Sequence, residues 1–145
     1  MRRLAAIFAL LALAACGKPA PPVGKWEGAS TIGGTMVAAR VETGPDGLVR
    51  VSAPDITNAV GPEGQLAQMR ERLAADLANA WDDVAPRRFD FDGKIFRKPG
   101  GIAPQMVWDK ATNQLILELY IGANPALPVT LRPVTIFHDN PWASG

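Results

Sequence analysis

The chain has 145 residues, a formal charge of +1 and a single cysteine, which leaves room for one compact domain and no intramolecular disulfide framework. Hydrophobic residues make up 48% and charged residues 20%, too apolar for wholesale disorder and too evenly charged for an electrostatic nucleic-acid binder. Fourteen glycines and 13 prolines predict many turns.

Arg2 and Arg3, followed by the uninterrupted apolar run Leu4 to Ala15, predict a secretory signal over residues 1–15. The run has about 12 residues, short of the roughly 20 that a spanning helix needs. At its end stands Leu13-Ala14-Ala15-Cys16, which resembles the bacterial lipobox, where a diacylglyceryl group is attached to the cysteine sulfur and the signal is cut just before it. The resemblance implies a mature lipoprotein that begins at Cys16 and is held to a membrane by acyl chains on that residue. Its thiol would then serve neither as nucleophile nor as redox group. Loss of Arg2 and Arg3 leaves 13 basic against 14 acidic side chains, so the mature surface does not seek phosphate. Gly17 follows the cysteine, in place of the aspartate that retains lipoproteins at the inner membrane of enteric bacteria. That implies the outer membrane, facing the periplasm, with the inner membrane as the alternative.

Residues 16–23 carry Pro19, Pro21 and Pro22 and predict an extended tether. At about 3.1 Å per residue it would hold the domain roughly 25 Å from its anchor. The globular domain is expected over 24–137, followed by a polar, partly loose tail over 138–145.

Within the domain, Val37, Ala39 and Val41 alternate with polar or small residues, as do Val49, Val51 and Ala53. With Thr43-Gly44-Pro45-Asp46-Gly47 between them, they predict an antiparallel hairpin with one buried face. From Gly61 to Val84 the period changes. Leu66, Met69, Leu73, Leu77, Trp81 and Val84 form one apolar stripe of an amphipathic helix. Its polar face is acidic on balance, which favours packing on a sheet over lying on a membrane. Asp82 and Asp83 oppose the helix dipole, and Arg87 and Arg88 are expected to offset them by pairing.

Beyond the helix, Asp92-Gly93 lies between Arg88–Phe91 and Lys94–Arg97 and predicts a two-residue hairpin loop with Phe91 facing Lys94 and Phe89 facing Phe96. Gln105–Asp109 and Gln114–Ile121 predict a second hairpin, with Leu115, Leu117, Leu119 and Ile121 on one face. A last strand, Val129 to Phe137, contains Pro133 and is expected at an edge or bulged there. These elements define an α+β domain: a curved antiparallel sheet or partly closed barrel of six to seven strands, with one helix inserted after the first hairpin and covering the mouth or open side.

Gly24-Lys25-Trp26 resembles the Gly-x-Trp opening of lipocalin-like barrels, and the resemblance implies that Arg132 on the last strand packs over Trp26. With Gly28 completing Gly-x-Trp-x-Gly, the layout is similar to that of small proteobacterial lipoproteins. The motif is short and covers little of the chain, and the helix stands mid-chain, where lipocalins carry theirs near the end.

No catalytic set is expected. His138 is the only histidine and reads as a solvated tail residue, since no serine stands in a nucleophile elbow and Asp139 beside it points the other way. Asp90 and Asp92 lack the further oxygens of a calcium loop, so no metal and no cofactor is expected. Arg70 falls inside the apolar stripe of the helix, where it either snorkels past Trp81 or lines a pocket between helix and sheet. The residues expected to bury an apolar or lipid-like ligand are Phe89, Phe91, Phe96 and Leu117, with Arg70 as polar anchor. The alternative is a structural accessory that docks an envelope protein through the exposed edge Val129 to Phe137.

Overall fold

The computed structural model describes residues 17–54, 57–120 and 126–142, so the expected signal, Cys16, Ile121 and the last three residues lie outside the described residues. In chain order the elements are β1 (Gly24–Ile32), β2 (Thr35–Thr43), β3 (Leu48–Ser52), β4 (Thr57–Asn58), α1 (Glu63–Trp81), β5 (Arg87–Arg88), β6 (Asp90–Phe91), β7 (Ile95–Arg97), β8 (Pro104–Asp109), β9 (Gln114–Leu119) and β10 (Leu127–Val134). Nine strands hydrogen-bond in the order β5-β3-β2-β1-β10-β9-β8-β7-β6, with β4 beside β2. Every pairing is antiparallel. The two ends of that order, β5 and β6, are consecutive pieces of one segment interrupted at Phe89. The sheet is therefore a nearly closed barrel, broken at a seam where the wall changes partners.

The architecture is α+β with one helix among the described residues, but the sheet has nine strands along its path instead of six to seven. Two features of the chain hid the extra strands. β1 reads Gly-Lys-Trp-Glu-Gly-Ala-Ser-Thr-Ile, with little apolar alternation, and the short segment around Phe89 splits into two strands with different neighbours.

The barrel interior is packed by side chains at every level. One row runs across five strands, Val129 opposite Leu117, Leu117 opposite Met106, Met106 opposite Phe96 and Phe96 opposite Phe91. Trp26, Val41, Val49, Leu115 and Leu131 complete the core. Trp26 is tied across the barrel end by its indole N–H, which donates to the Asn113 carbonyl at 2.8 Å. Arg132 stands opposite Glu27, one residue out of phase with Trp26, and so on the other face of the wall.

β2 is buried on both faces: Val37, Ala39 and Val41 turn inward, while Met36, Ala38 and Arg40 turn outward. The outward set needs its own cover, and α1 supplies it with Leu73, Ala74, Leu77 and Trp81 packed on β2 and β3. The helix therefore lies on the outer wall, and the expectation that it covers the mouth is corrected. Its last turn is neutralised by Arg50, which donates to the carbonyls of Trp81 and Val84 and lays its guanidinium 4.3 Å from the Trp81 ring. Arg50 rather than Arg87 or Arg88 answers the helix end, because β3 runs beneath it.

The β6–β7 hairpin departs from its expected register: its loop moves by one residue and every cross-strand partner by two. Phe91 pairs with Phe96 and Asp90 with Arg97, so Gly93 and Lys94 form the loop. The cause is Asp92, whose carboxylate accepts the N–H groups of Lys94 and Ile95 at 2.9 and 2.8 Å and pairs with Arg97 at 2.8 Å. A side chain that caps the turn stays at the strand end and cannot be one of the loop residues. Arg97, then the two N–H groups, lower the Asp92 pKa from 3.8 to about 2. A depressed folded pKa makes this contribution to stability complete above 3.8, and it fades as pH falls toward 2. A carboxyl-carbon NMR titration should show Asp92 with a midpoint near 2 that moves back toward the ordinary value in Arg97→Ala. An unchanged midpoint in that variant would remove Arg97 as the cause.

β10 is no edge. It pairs with β9 through Leu127–Leu131 and with β1 through Arg132–Val134. Pro133 is tolerated because the strand changes partner there. Just before the tail, Phe137 meets the Trp81 ring edge-on at 4.8 Å, and within it Pro141 is buried.

Candidate functional site

The seam produces an opening. β6 and β7 are two and three residues long beside six-residue β8 and β9, so the wall stops short there and leaves a cleft above core side chains. The resulting cleft of about 250 Å³ is floored by Met106 and Leu117, which are 0% and 5% exposed, and walled by Val51, Phe89 and Gln105. Arg87 and Lys98 stand on its rim. Neither makes an ion pair with a carboxylate among the described residues. The cleft adjoins a wider depression of about 470 Å³ that shares Val51, Lys98, Gln105 and Leu117 and reaches Glu118, Leu119 and Tyr120. Chemically this is an apolar floor below a cationic lip, next to an amide.

Of the residues expected to bind, Phe89 and Leu117 meet in this cleft. Phe96 is fully inside the core, where Phe91 packs on it with ring centroids 4.5 Å apart. Both phenylalanines serve the barrel rather than the opening. Arg70 is not brought to them. It pairs with Glu63 at 2.8 Å on the helix, and the helix is separated from the phenylalanines by the β2 wall. A pocket between helix and concave face is thus replaced by one at the seam. Cys16 lies outside the described residues.

A polar cluster on the outer wall was not anticipated. Glu27 is 1% exposed and stands opposite Arg40, which is 6% exposed. Both hold the tail: the His138 N–H donates to the Glu27 carboxylate at 3.0 Å, the His138 ring contacts the same carboxylate, and Arg40 donates to the His138 carbonyl at 2.9 Å. The Phe137 ring lies 4.9 Å from the Arg40 guanidinium. Burial lowers the Arg40 pKa, and Glu27 and then Asp139 oppose that shift. His138 is therefore a clasp, not a free tail residue. The one hint in the sequence was the acidic residue Glu27 placed between Trp26 and Gly28 in a strand buried on both sides.

The fold and the site together define a class: a small α+β protein whose nearly closed antiparallel barrel carries one apolar opening and a helix on its outer wall. No protein-family model, no curated protein and no solved structure matches the chain.

Proposed function

We propose that this chain is a non-catalytic, lipid-anchored envelope protein, tethered through Cys16 at the periplasmic face of the outer membrane, that holds an amphipathic small molecule in the seam cleft. The observation that carries the reading is a cleft that reaches down to the core residues Met106 and Leu117 and is lined by Arg87 and Lys98 as well. Burying an apolar chain there gains about 25 cal/mol per Å², and an anionic headgroup would meet the two cations. The alternative is a structural accessory that docks an envelope protein through the edge Val129 to Phe137; it is the less favoured reading because β10 pairs with β9 along Leu127–Leu131 and with β1 along Arg132–Val134.

Native mass spectrometry of the chain with the signal removed should reveal a co-purifying amphiphile, and a fluorescent long-chain carboxylate should bind and be displaced by it. Gln105→Trp, which fills the cleft from its rim, should reduce that binding at least tenfold with the melting temperature unchanged. Equal binding by the parent and Gln105→Trp would overturn the proposal.

A further inference from the structure

We infer that residues 17–23 form a strap docked on the barrel, and that the end of the barrel they cover is the face that meets the lipid surface. This rests on the anchoring of Cys16 proposed above. Pro19 and Pro21 sit over two hairpin turns at the same end. Pro19 Cγ lies 3.6 Å from where a β-carbon on Gly93 would stand, and Pro21 Cγ lies 3.9 Å from the corresponding point on Gly47. Both glycines have positive φ, +102° and +78°, so each turn needs glycine for its backbone, and each carries a proline ring within van der Waals reach. Lys18, Pro19 and Pro21 form one side of a groove of about 520 Å³ whose other side includes Asp46, Arg88 and Asp92. The strap then runs directly into β1 at Gly24.

The distances that follow leave little slack. From Lys18 back to Cys16 are two residues, which reach about 7 Å at most. Each polar headgroup layer of a bilayer is about 5–8 Å deep. Acyl chains on Cys16 that enter the hydrocarbon therefore bring Lys18 and the turns at Asp46-Gly47 and Asp92-Gly93 to headgroup level. The stand-off of roughly 25 Å expected for an extended tether is lost to docking. Charge contributes little to this orientation, since Lys18, Arg88, Lys94, Arg97 and Lys110 at this end stand beside Asp46, Asp90, Asp92 and Asp109.

The strand directions then locate the cleft. The β2–β3, β6–β7 and β8–β9 turns leave the barrel at the strapped end, and the connection from Lys98 to Ala103 leaves at the other. β1 has nine residues, roughly 30 Å of strand at about 3.3 Å each. The seam cleft runs from Phe89, which it shares with the strapped groove, to Lys98 and Gln105 on the side turned away from the bilayer.

The single cysteine is consumed by the anchor, so Lys110→Cys at the strapped end and Ile102→Cys at the far end each create one labelling position. Ile102 is 91% exposed. The full acylated protein would be placed in phosphatidylethanolamine–phosphatidylglycerol vesicles with a nitrobenzoxadiazole label at either position and nitroxide-bearing headgroups as quencher. Quenching at 110 should exceed that at 102 severalfold, and adding Pro19→Gly with Pro21→Gly should remove the difference. Equal quenching at the two positions, or more at 102, overturns the strap while leaving the anchor in place. A mass spectrum without acyl groups on Cys16 defeats the anchoring reading itself, and the lipid-facing end with it.

Discussion

Glu27→Ala is expected to destabilise the protein by about 1–3 kcal/mol, the usual cost of leaving buried polar groups without their hydrogen-bond partner. Arg40 would remain on the outer face of β2, 6% exposed, with its Nε already without a hydrogen-bond partner. The tail would lose the carboxylate that receives the His138 N–H. Urea denaturation would read the change as a lower midpoint with little change in slope. The double variant Glu27→Met with Arg40→Leu should recover most of the loss, because two apolar side chains sandwiched between barrel and tail have no charge to solvate. A cost below about 1 kcal/mol for Glu27→Ala would mean that the tail is not seated on this carboxylate.

Gly28→Ala is the second large effect, expected at about 2–3 kcal/mol. A β-carbon at position 28 would stand 2.3 Å from the Thr130 carbonyl oxygen and 3.2 Å from Leu131 Cα. Both are backbone atoms that cannot rotate aside, so β1 and β10 would have to separate where β10 bends from one half of the barrel to the other. Gly64→Ala is the matching control. Nothing lies within 4 Å of its added carbon, and in the first turn of α1 the change should stabilise by up to about 1 kcal/mol. Equal melting temperatures for the two variants would show that β1 and β10 are not in contact at Gly28.

Much of the fold was legible because its signals are local. Asp46-Gly47 and the alternation on either side gave the β2–β3 hairpin, and the period change after Gly61 gave the helix within a few residues of its ends. The alternating leucines at 115, 117 and 119 marked an inward face without reference to the rest of the chain. Errors arose wherever a partner distant in sequence decided the outcome. The Asp92 side chain moved a hairpin register by capping it. Arg50, 31 residues before Trp81, took the helix end that Arg87 and Arg88 were expected to serve. Pro133 looked like an edge residue because proline lacks a donor, yet a strand that changes neighbours needs no donor at the point of change.

The candidate site was legible only in part. Phe89 and Leu117 do line one cleft, since apolar side chains on one sheet face converge when the sheet curves. Arg70 was placed with them because its helical angle falls in the apolar stripe, but angle says nothing of which side of a wall the stripe covers. Lys98, Gln105 and Met106 carry no motif and came together only through the shortness of β6 and β7.

By itself, the sequence determined the α+β class, the positions of the hairpins and helix, the absence of disulfides and the resemblance of its first 16 residues to a lipoprotein signal, because each follows from composition or from residues a few positions apart. Only the tertiary structure decided that the helix lies outside the barrel, that the wall breaks at Phe89, that His138 is clasped by Glu27 and Arg40, and that the proline tether is seated on two turns. Those are contacts between segments up to 111 residues apart, and periodicity, which reports only on near neighbours, carries no information about them.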